Sequence, residues 1–313
     1  MGILSRLAVK YVTCRRCHLG NIIDHLAGSL PLTRRDWLRS ILGGVALYVT
    51  APDSESAAGA ARREPQCSGS IREIFLGEEL TYQIGFWLFA NLGEARVRLV
   101  ETGKPGLYRA SLEGRTLGFL NSLLGEYRYA YVSLAELSPQ KTRLRPLRFQ
   151  LIKKRRNKES IRTVTFDYRN NKIVFSRTLS GGKLKKETKA MQKGQNYEDY
   201  LTLFYNFRNG CYGPLNRGQT YHLPLQAHKS MDRLKLSVAN KDQEAAQRQK
   251  EANKIGKHFF VKFRIKSEDV SSKTGEIEAW LSQEGIPTKG VIKDVIFFGD
   301  LWGELVNAEA KGH

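Results

Sequence analysis

From Gly77 onwards apolar and polar residues alternate one by one, and this period of two constrains the fold more than any other feature of the chain. Leu80, Tyr82, Ile84, Phe86 and Leu88 interleave with Thr81, Gln83, Gly85 and Trp87. Successive side chains of an extended strand point to opposite faces, so such a stretch buries one apolar face and presents a mixed one. The pattern returns at Ala95/Val97/Leu99, Tyr127/Tyr129/Tyr131, Leu147/Phe149/Leu151 and Arg162-Val164-Phe166-Tyr168. It continues at Tyr221/Leu223/Leu225, Leu234/Leu236/Val238, Phe259/Val261/Phe263/Ile265 and Glu276 to Leu281. Turn formers separate the runs: Asn91-Leu92-Gly93, Gly103-Lys104-Pro105-Gly106, Arg169-Asn170-Asn171, Ser180-Gly181-Gly182 and Gln283-Glu284-Gly285. About a dozen short strands joined by hairpins predict a mainly β fold built on one large antiparallel sheet. A sheet that wide curls, closes into a barrel or splits into two layers.

Two stretches leave the pattern. Residues 196–209 place Tyr197, Tyr200, Leu201, Phe204, Tyr205 and Phe207 near helical spacing, and Gly210 ends the run. This predicts one helix against the apolar face of the sheet, flanked by Asp199 and Arg208, which read as local caps or ion-pair partners. Residues 240–257 are rich in Gln, Glu and Lys and predict a polar helical excursion between two strands.

The N-terminus reads as an address. Thr33-Arg34-Arg35-Asp36-Trp37-Leu38-Arg39 resembles a twin-arginine export consensus. A short apolar run from Ile41 to Ala51 follows, and then Ala58-Gly59-Ala60. Arginine pair, apolar run and small-residue site come in the order of a cleavable signal over 33–60; a basic amphipathic helix is the competing reading. Residues 1–32 then form an extra extension or reflect a misplaced start, 61–74 a linker, 75–306 the β domain and 307–313 a tail. The mature protein would be periplasmic, with no helix able to span a bilayer. Cys14-Arg15-Arg16-Cys17-His18 fits the haem-attachment pattern C-x-x-C-H but lies upstream of the signal, so no cofactor is expected. Cys67 and Cys211 alone remain after processing. In an oxidising compartment they either pair or stay free.

Several segments resemble the bacterial domain-of-unknown-function family 3108 (DUF3108). They are Phe75-Leu76-Gly77-Glu78-Glu79-Leu80-Thr81-Tyr82, the stretch Tyr197 to Arg208, and Glu278 to Pro287 followed by Gly299 and Leu305. The resemblance spans about residues 75–305. It implies an exported protein with no assigned activity, and a strongly curved sheet, an open or half barrel wrapped around one helix, like periplasmic lipoprotein carriers. The extension, the basic surface and the 240–257 insertion depart from the family.

The chemistry on view is charge and apolar surface rather than catalysis. The net charge is +20, which favours anionic partners. Lys141 to Lys158 holds nine Lys/Arg and no acid. Arg143, Arg145, Arg148, Lys153 and Arg155 are the candidate anion-binding residues, the plainer reading being a solvated basic face. His222, His228, His258 and His313 lack metal-ligand spacing, and neither a nucleophile elbow nor a phosphate-binding glycine loop is present. The expectation is a non-catalytic envelope protein, with Tyr82, Phe86, Phe204 and Trp280 around an apolar ligand. Its partners would be lipid or an anionic envelope glycolipid, with peripheral membrane contact and no nucleic acid. The alternative is a periplasmic enzyme acting on a cell-wall or envelope polymer, which needs two carboxylates facing each other across a cleft.

Overall fold

The computed structural model describes residues 67–309 apart from 119–120, 122–126, 157, 179–183, 251–257 and 297. The extension 1–32 with its Cys14/Cys17/His18 motif, the signal 33–60 and the turn Ser180-Gly181-Gly182 lie outside the described residues. So do the end of the polar insertion and the last four residues of the tail. Eight strands come first: β1 (Glu79–Phe86), β2 (Phe89–Glu101), β3 (Leu107–Thr116), β4 (Tyr127–Leu137), β5 (Leu144–Arg155), β6 (Lys158–Asp167), β7 (Lys172–Thr178) and β8 (Leu184–Ala190). Six follow: β9 (Thr220–His228), β10 (Met231–Val238), β11 (Phe259–Arg264), β12 (Glu276–Leu281), β13 (Pro287–Val295) and β14 (Gly299–Glu309). Among the described residues, the strands are punctuated by helices α1 (Ile71–Phe75), α2 (Tyr200–Arg208), α3 (Lys241–Lys250) and α4 (Ser267–Val270).

All fourteen strands form one antiparallel sheet in the order β8-β7-β6-β5-β4-β3-β2-β1-β14-β13-β12-β11-β10-β9. Each half of the chain is a meander, and the C-terminal strand returns to pair with the first. The helix α2 touches β3, β4 and β5 and also β9, which lies at the far edge of the sheet. Only a sheet bent into a trough brings those strands to one helix. One core cluster likewise unites Phe149, Val164 and Ile173 from one wing with Leu223, Leu225 and Val261 from the other. The edges β8 and β9 are not paired by backbone, so the trough stays open. Side chains bridge the gap, with Lys189 Nζ 3.4 Å from Gln226 Oε1 and Lys229 Nζ 2.5 Å from Glu187 Oε2. The single bent sheet is the arrangement that holds, rather than two layers or a closed barrel.

Three local readings of the sequence are corrected. The first strand ends at Phe86, not Leu88, and the chain turns at Trp87-Leu88 so that Phe86 pairs with Phe89. Asn91-Leu92-Gly93 lies inside β2, where a register shift opposite Ile84 and Phe86 absorbs the positive φ of Asn91. Leu147 is not in phase with Phe149 and Leu151. A bulge lets it slip out of register between Leu134–Arg148 and Ala135–Pro146, and one extra residue exchanges the faces of everything beyond it.

The helix begins where its cap dictates. Asp199 is extended, and its Oδ1 accepts hydrogen bonds from the Leu201 and Thr202 backbone N–H groups at 2.8 and 3.0 Å. Thr202 Oγ1 accepts from Asp199 N–H at 3.0 Å. This capping box excludes residues 196–199 from the helix. At the other end Gly210 takes a left-handed φ of 70°. Asn206 then clips the helix to β5, donating to Leu144 O and accepting from Leu144 N–H, both at 2.8 Å.

Candidate binding site

Strand register places small residues side by side across one end of the inner face. One row runs Thr116, Gly93, Ile84, Gly303, Gly290, Ala279. The row beside it runs Ser160, Lys153, Tyr129, Gly114, Ala95, Tyr82 and ends at Leu305. Where side chains are small, large neighbours lie down on the backbone. The Tyr129 ring passes 2.3 Å from the position a Cβ on Gly114 would take, and Ile84 Cδ1 passes 3.1 Å from that of Gly303. The helix α2 packs at the opposite end, with Leu201 and Tyr205 among Leu80, Leu99, Tyr108, Ala135 and Leu144. Tyr82, Ile84, Tyr129, Ile292 and Leu305 therefore keep part of their apolar surface open to solvent. They form the mouth of the half barrel.

A clasp crosses the trough beside this mouth. The short helix α4, between β11 and β12, reaches over to strands β4 to β6 of the opposite wing. Asp269 is buried and takes hydrogen bonds from Tyr200 Oη at 2.8 Å and from the Arg162 guanidinium at 2.5 Å. Its backbone carbonyl accepts from Tyr131 Oη at 3.0 Å. The Lys153 ammonium donates to Glu268 O at 2.5 Å and lies 3.3 Å from Ser271 Oγ. Burial, with the nearby Asp269 carboxylate adding to it, pushes the Tyr200 phenol well above its usual range. Both tyrosines that hold the clasp thus stay protonated donors.

Two acids sit in the interior. Glu198 accepts from both the Asn206 amide, at 2.8 and 3.0 Å, and Tyr212 Oη at 2.7 Å, with Arg143 Nε 3.7 Å away. Burial raises its carboxyl to about 7 against the pull of Arg143, and raises the Asp199 carboxyl to about 6. Every one of these contacts is structural: cap, clip and brace. The pair is enclosed by its own partners rather than facing a cleft.

A family model described as "Protein of unknown function (DUF3108)" matches residues 81–305. The chain belongs to the DUF3108 family. No curated protein matches it. Among solved structures, the crystal structure of a β-barrel-like protein of domain of unknown function DUF1849 from Brucella abortus is similar at 10% identity and a TM-score of 0.38. That alignment covers 74% of this chain and 96% of that one.

Within this DUF3108 fold the residues singled out from the sequence fall in different places. Tyr82 and Phe204 both pack against the core cluster beneath α2. Phe86 lies at the tip of the β1–β2 hairpin, its ring 5.6 Å from Phe89 and 5.4 Å from Phe298. Trp280 faces the other side of the sheet, since its neighbours Ala279 and Leu281 point inward. There its ring lies 4.8 Å from that of Phe260 in a tilted contact, with the Arg248 guanidinium of α3 over it. Cys67 and Cys211 are joined in a disulfide with Cα atoms 4.1 Å apart.

The basic cluster divides likewise. Arg143 turns inward to Glu198, the Cys211 carbonyl and the Tyr212 ring. Arg145 bonds Glu136 at 2.7 Å and lies over Tyr168. Arg148 is exposed on the outer face, and Arg155 is exposed near the end of β5. Lys153 alone of the five lies on the inner face beside the mouth. Sequence reasoning missed its companions there, Ser160, Arg162 and Arg177. The available signal was that the inward positions of β5 to β7 change from apolar to basic at one end. His222 is exposed, and His228 Nε2 lies 2.8 Å from Glu268 Oε1. Among the described residues no group of three or more potential metal ligands converges, and no helix is long and apolar enough to cross a membrane.

Proposed function

We propose that this DUF3108 protein is exported and works in the periplasm as a non-catalytic binding protein, taking the apolar chain of an envelope lipid into the mouth of its half barrel. One observation carries the reading. Glycines and alanines pave the inner face around Ile84 and Tyr129, at the end the helix does not fill, and the apolar side chains gathered there are only partly buried. Two features support export: the twin-arginine segment Thr33 to Arg39, and the Cys67–Cys211 disulfide, which suits an oxidising compartment. The net charge of +20 suits the approach to anionic lipid headgroups.

Mass spectrometry of the protein isolated from its own bacterium, run native and denatured, tests both parts. The expected masses are those of a chain beginning after Ala60, with a lipid adduct that disappears on denaturation. An uncut chain recovered from the cytosol overturns export. A lipid-free protein that also fails to bind a fluorescent fatty acid overturns the carrier role.

A further inference from the structure

Beside the mouth, the inner positions of β5, β6 and β7 stop being apolar. In register across these strands stand Leu151, Arg162 and Arg177, with Lys153 and Ser160 as the neighbouring pair. Together with Glu268 and Asp269 of the clasp they line a hollow of about 60 Å³. That space holds a few water molecules or one compact anion.

The charges around the hollow do not cancel. Asp269 is committed to Arg162 and Tyr200. Glu268 has a half-exposed side chain, shares its carboxylate with His228 at 2.8 Å, and sits 3.4 Å from Arg162. Against these two acids stand Lys153, Arg162 and Arg177. Arg177 and Ser160 have no side-chain partner among the described residues, and Arg162 Nε is buried without an acceptor. Burial holds the Lys153 ammonium below its usual range; Asp269 offsets this in part, while Arg162 and Arg177 add to it. Two guanidinium groups, an ammonium and a hydroxyl thus converge on one small space with donors to spare.

We infer that Lys153, Ser160, Arg162 and Arg177 form a phosphate-ester subsite at the edge of the mouth. Arg162, held by Asp269, presents a fixed guanidinium face, and Arg177 closes from the open side. Lys153 adds a point charge and Ser160 a hydroxyl hydrogen bond. The inference deepens the carrier reading by naming the ligand class: an apolar chain in the mouth would carry its phosphate here. A free phosphate ester would satisfy the same donors.

Isothermal titration of the purified protein at fixed ionic strength separates these cases, with inorganic phosphate and monomeric dihexanoyl phosphatidylglycerol as probes. Both probes are expected to bind, and Arg177→Gln to weaken each about tenfold, the loss of one charge-assisted contact. Ser160→Ala should weaken them less. Neither side chain supports the fold, so circular dichroism should be unchanged. Lipid binding roughly tenfold or more tighter than phosphate identifies a headgroup as the source. Equal binding identifies a free phosphate ester, keeps the subsite and retires the acyl-chain reading. Lipid binding indifferent to both variants retires the subsite and leaves the apolar mouth standing. Failure of both probes to bind overturns the subsite.

Discussion

The Arg208 guanidinium grips the Glu78 carboxylate through two hydrogen bonds of 2.6 and 2.7 Å, tying the last turn of α2 to the residue just before β1. The pair spans 130 residues of chain, and its side chains are 3% and 12% exposed. Phe75 and Phe204 flank the guanidinium at 4.8 and 5.0 Å. Taking two charges out of water costs about as much as their attraction returns, so such a pair fixes the helix in place more than it adds net stability.

Removing one partner leaves the other charge buried, and that is where the cost falls. Arg208→Ala should destabilise the domain by about 3–5 kcal/mol in urea unfolding. Arg208→Lys should recover only part of the loss, because an ammonium cannot match both carboxylate oxygens as the fork does. A midpoint for Arg208→Ala equal to that of the parent would show the helix held by packing alone.

Tyr129 and Gly114 form a second coupled pair. A methyl on Gly114 would stand 2.3 Å from the Tyr129 ring, so Gly114→Ala must lift the ring off the sheet. The expected loss is about 1–3 kcal/mol, typical of overpacking. In a Tyr129→Ala background the same change should be nearly neutral, and the difference, read as a double-mutant cycle, measures the contact. Equal losses in both backgrounds would place the strain elsewhere.

Nine strands, β1, β2, β4 to β6 and β9 to β12, were legible because their period is unmistakable wherever one face is buried; β3, β7, β13 and β14 were not read in this way. Nor was β8, since Leu184 to Ala190 is mostly charged and polar and buries neither face. It is an edge strand with Lys185, Lys186 and Lys189, residues that discourage a further strand from adding. The helix was legible from its aromatics, but its start depended on the Asp199–Thr202 capping box. The site was the least legible part. Tyr82 and Phe204 came out on the inner face, but the phase of Trp280 within β12 puts it on the outer one. The bulge at Leu147 puts Arg145 and Lys153, an even number of residues apart, on opposite faces of β5. The clasp depends on α4 reaching across the trough, a relation between strands nine places apart in the sheet that no local pattern carries.

Glu198 and Asp199 give the domain a pH dependence of unusual sign. Burial holds their carboxyls at about 7 and about 6, above the ordinary 4.5 and 3.8. Between the ordinary and raised values the folded chain keeps protons that the unfolded chain has released, so stability falls as pH rises. The contribution is full below about pH 4 and lost by about pH 7 to 8, and for Glu198 it is on the order of 3 kcal/mol. The melting temperature should therefore be higher at pH 5 than at pH 8. Glu198→Gln should flatten that slope, whatever it costs overall by setting an amide against the Asn206 and Tyr212 donors. A profile that rises from pH 5 to 8 would contradict the burial of both acids.

The Cys67–Cys211 bond closes a loop of 144 residues that contains all of β1 to β8. The segment it holds is also hydrogen-bonded, from Ser68 N–H to Asn209 O at 2.7 Å and from the Asn209 amide to Gly69 O at 2.9 Å. Those contacts act only once the chain has folded, whereas a cross-link also restricts the unfolded ensemble. For a loop this long the chain-entropy estimate is about 4–5 kcal/mol. Cys67→Ser, or reduction with dithiothreitol, should lower the urea midpoint accordingly while leaving the folded circular dichroism spectrum unchanged. The two treatments should not add. An unchanged midpoint with two titratable thiols would mean that the hydrogen bonds at Asn209 suffice. A further drop on reducing the Cys67→Ser protein would point to a cause other than this cross-link.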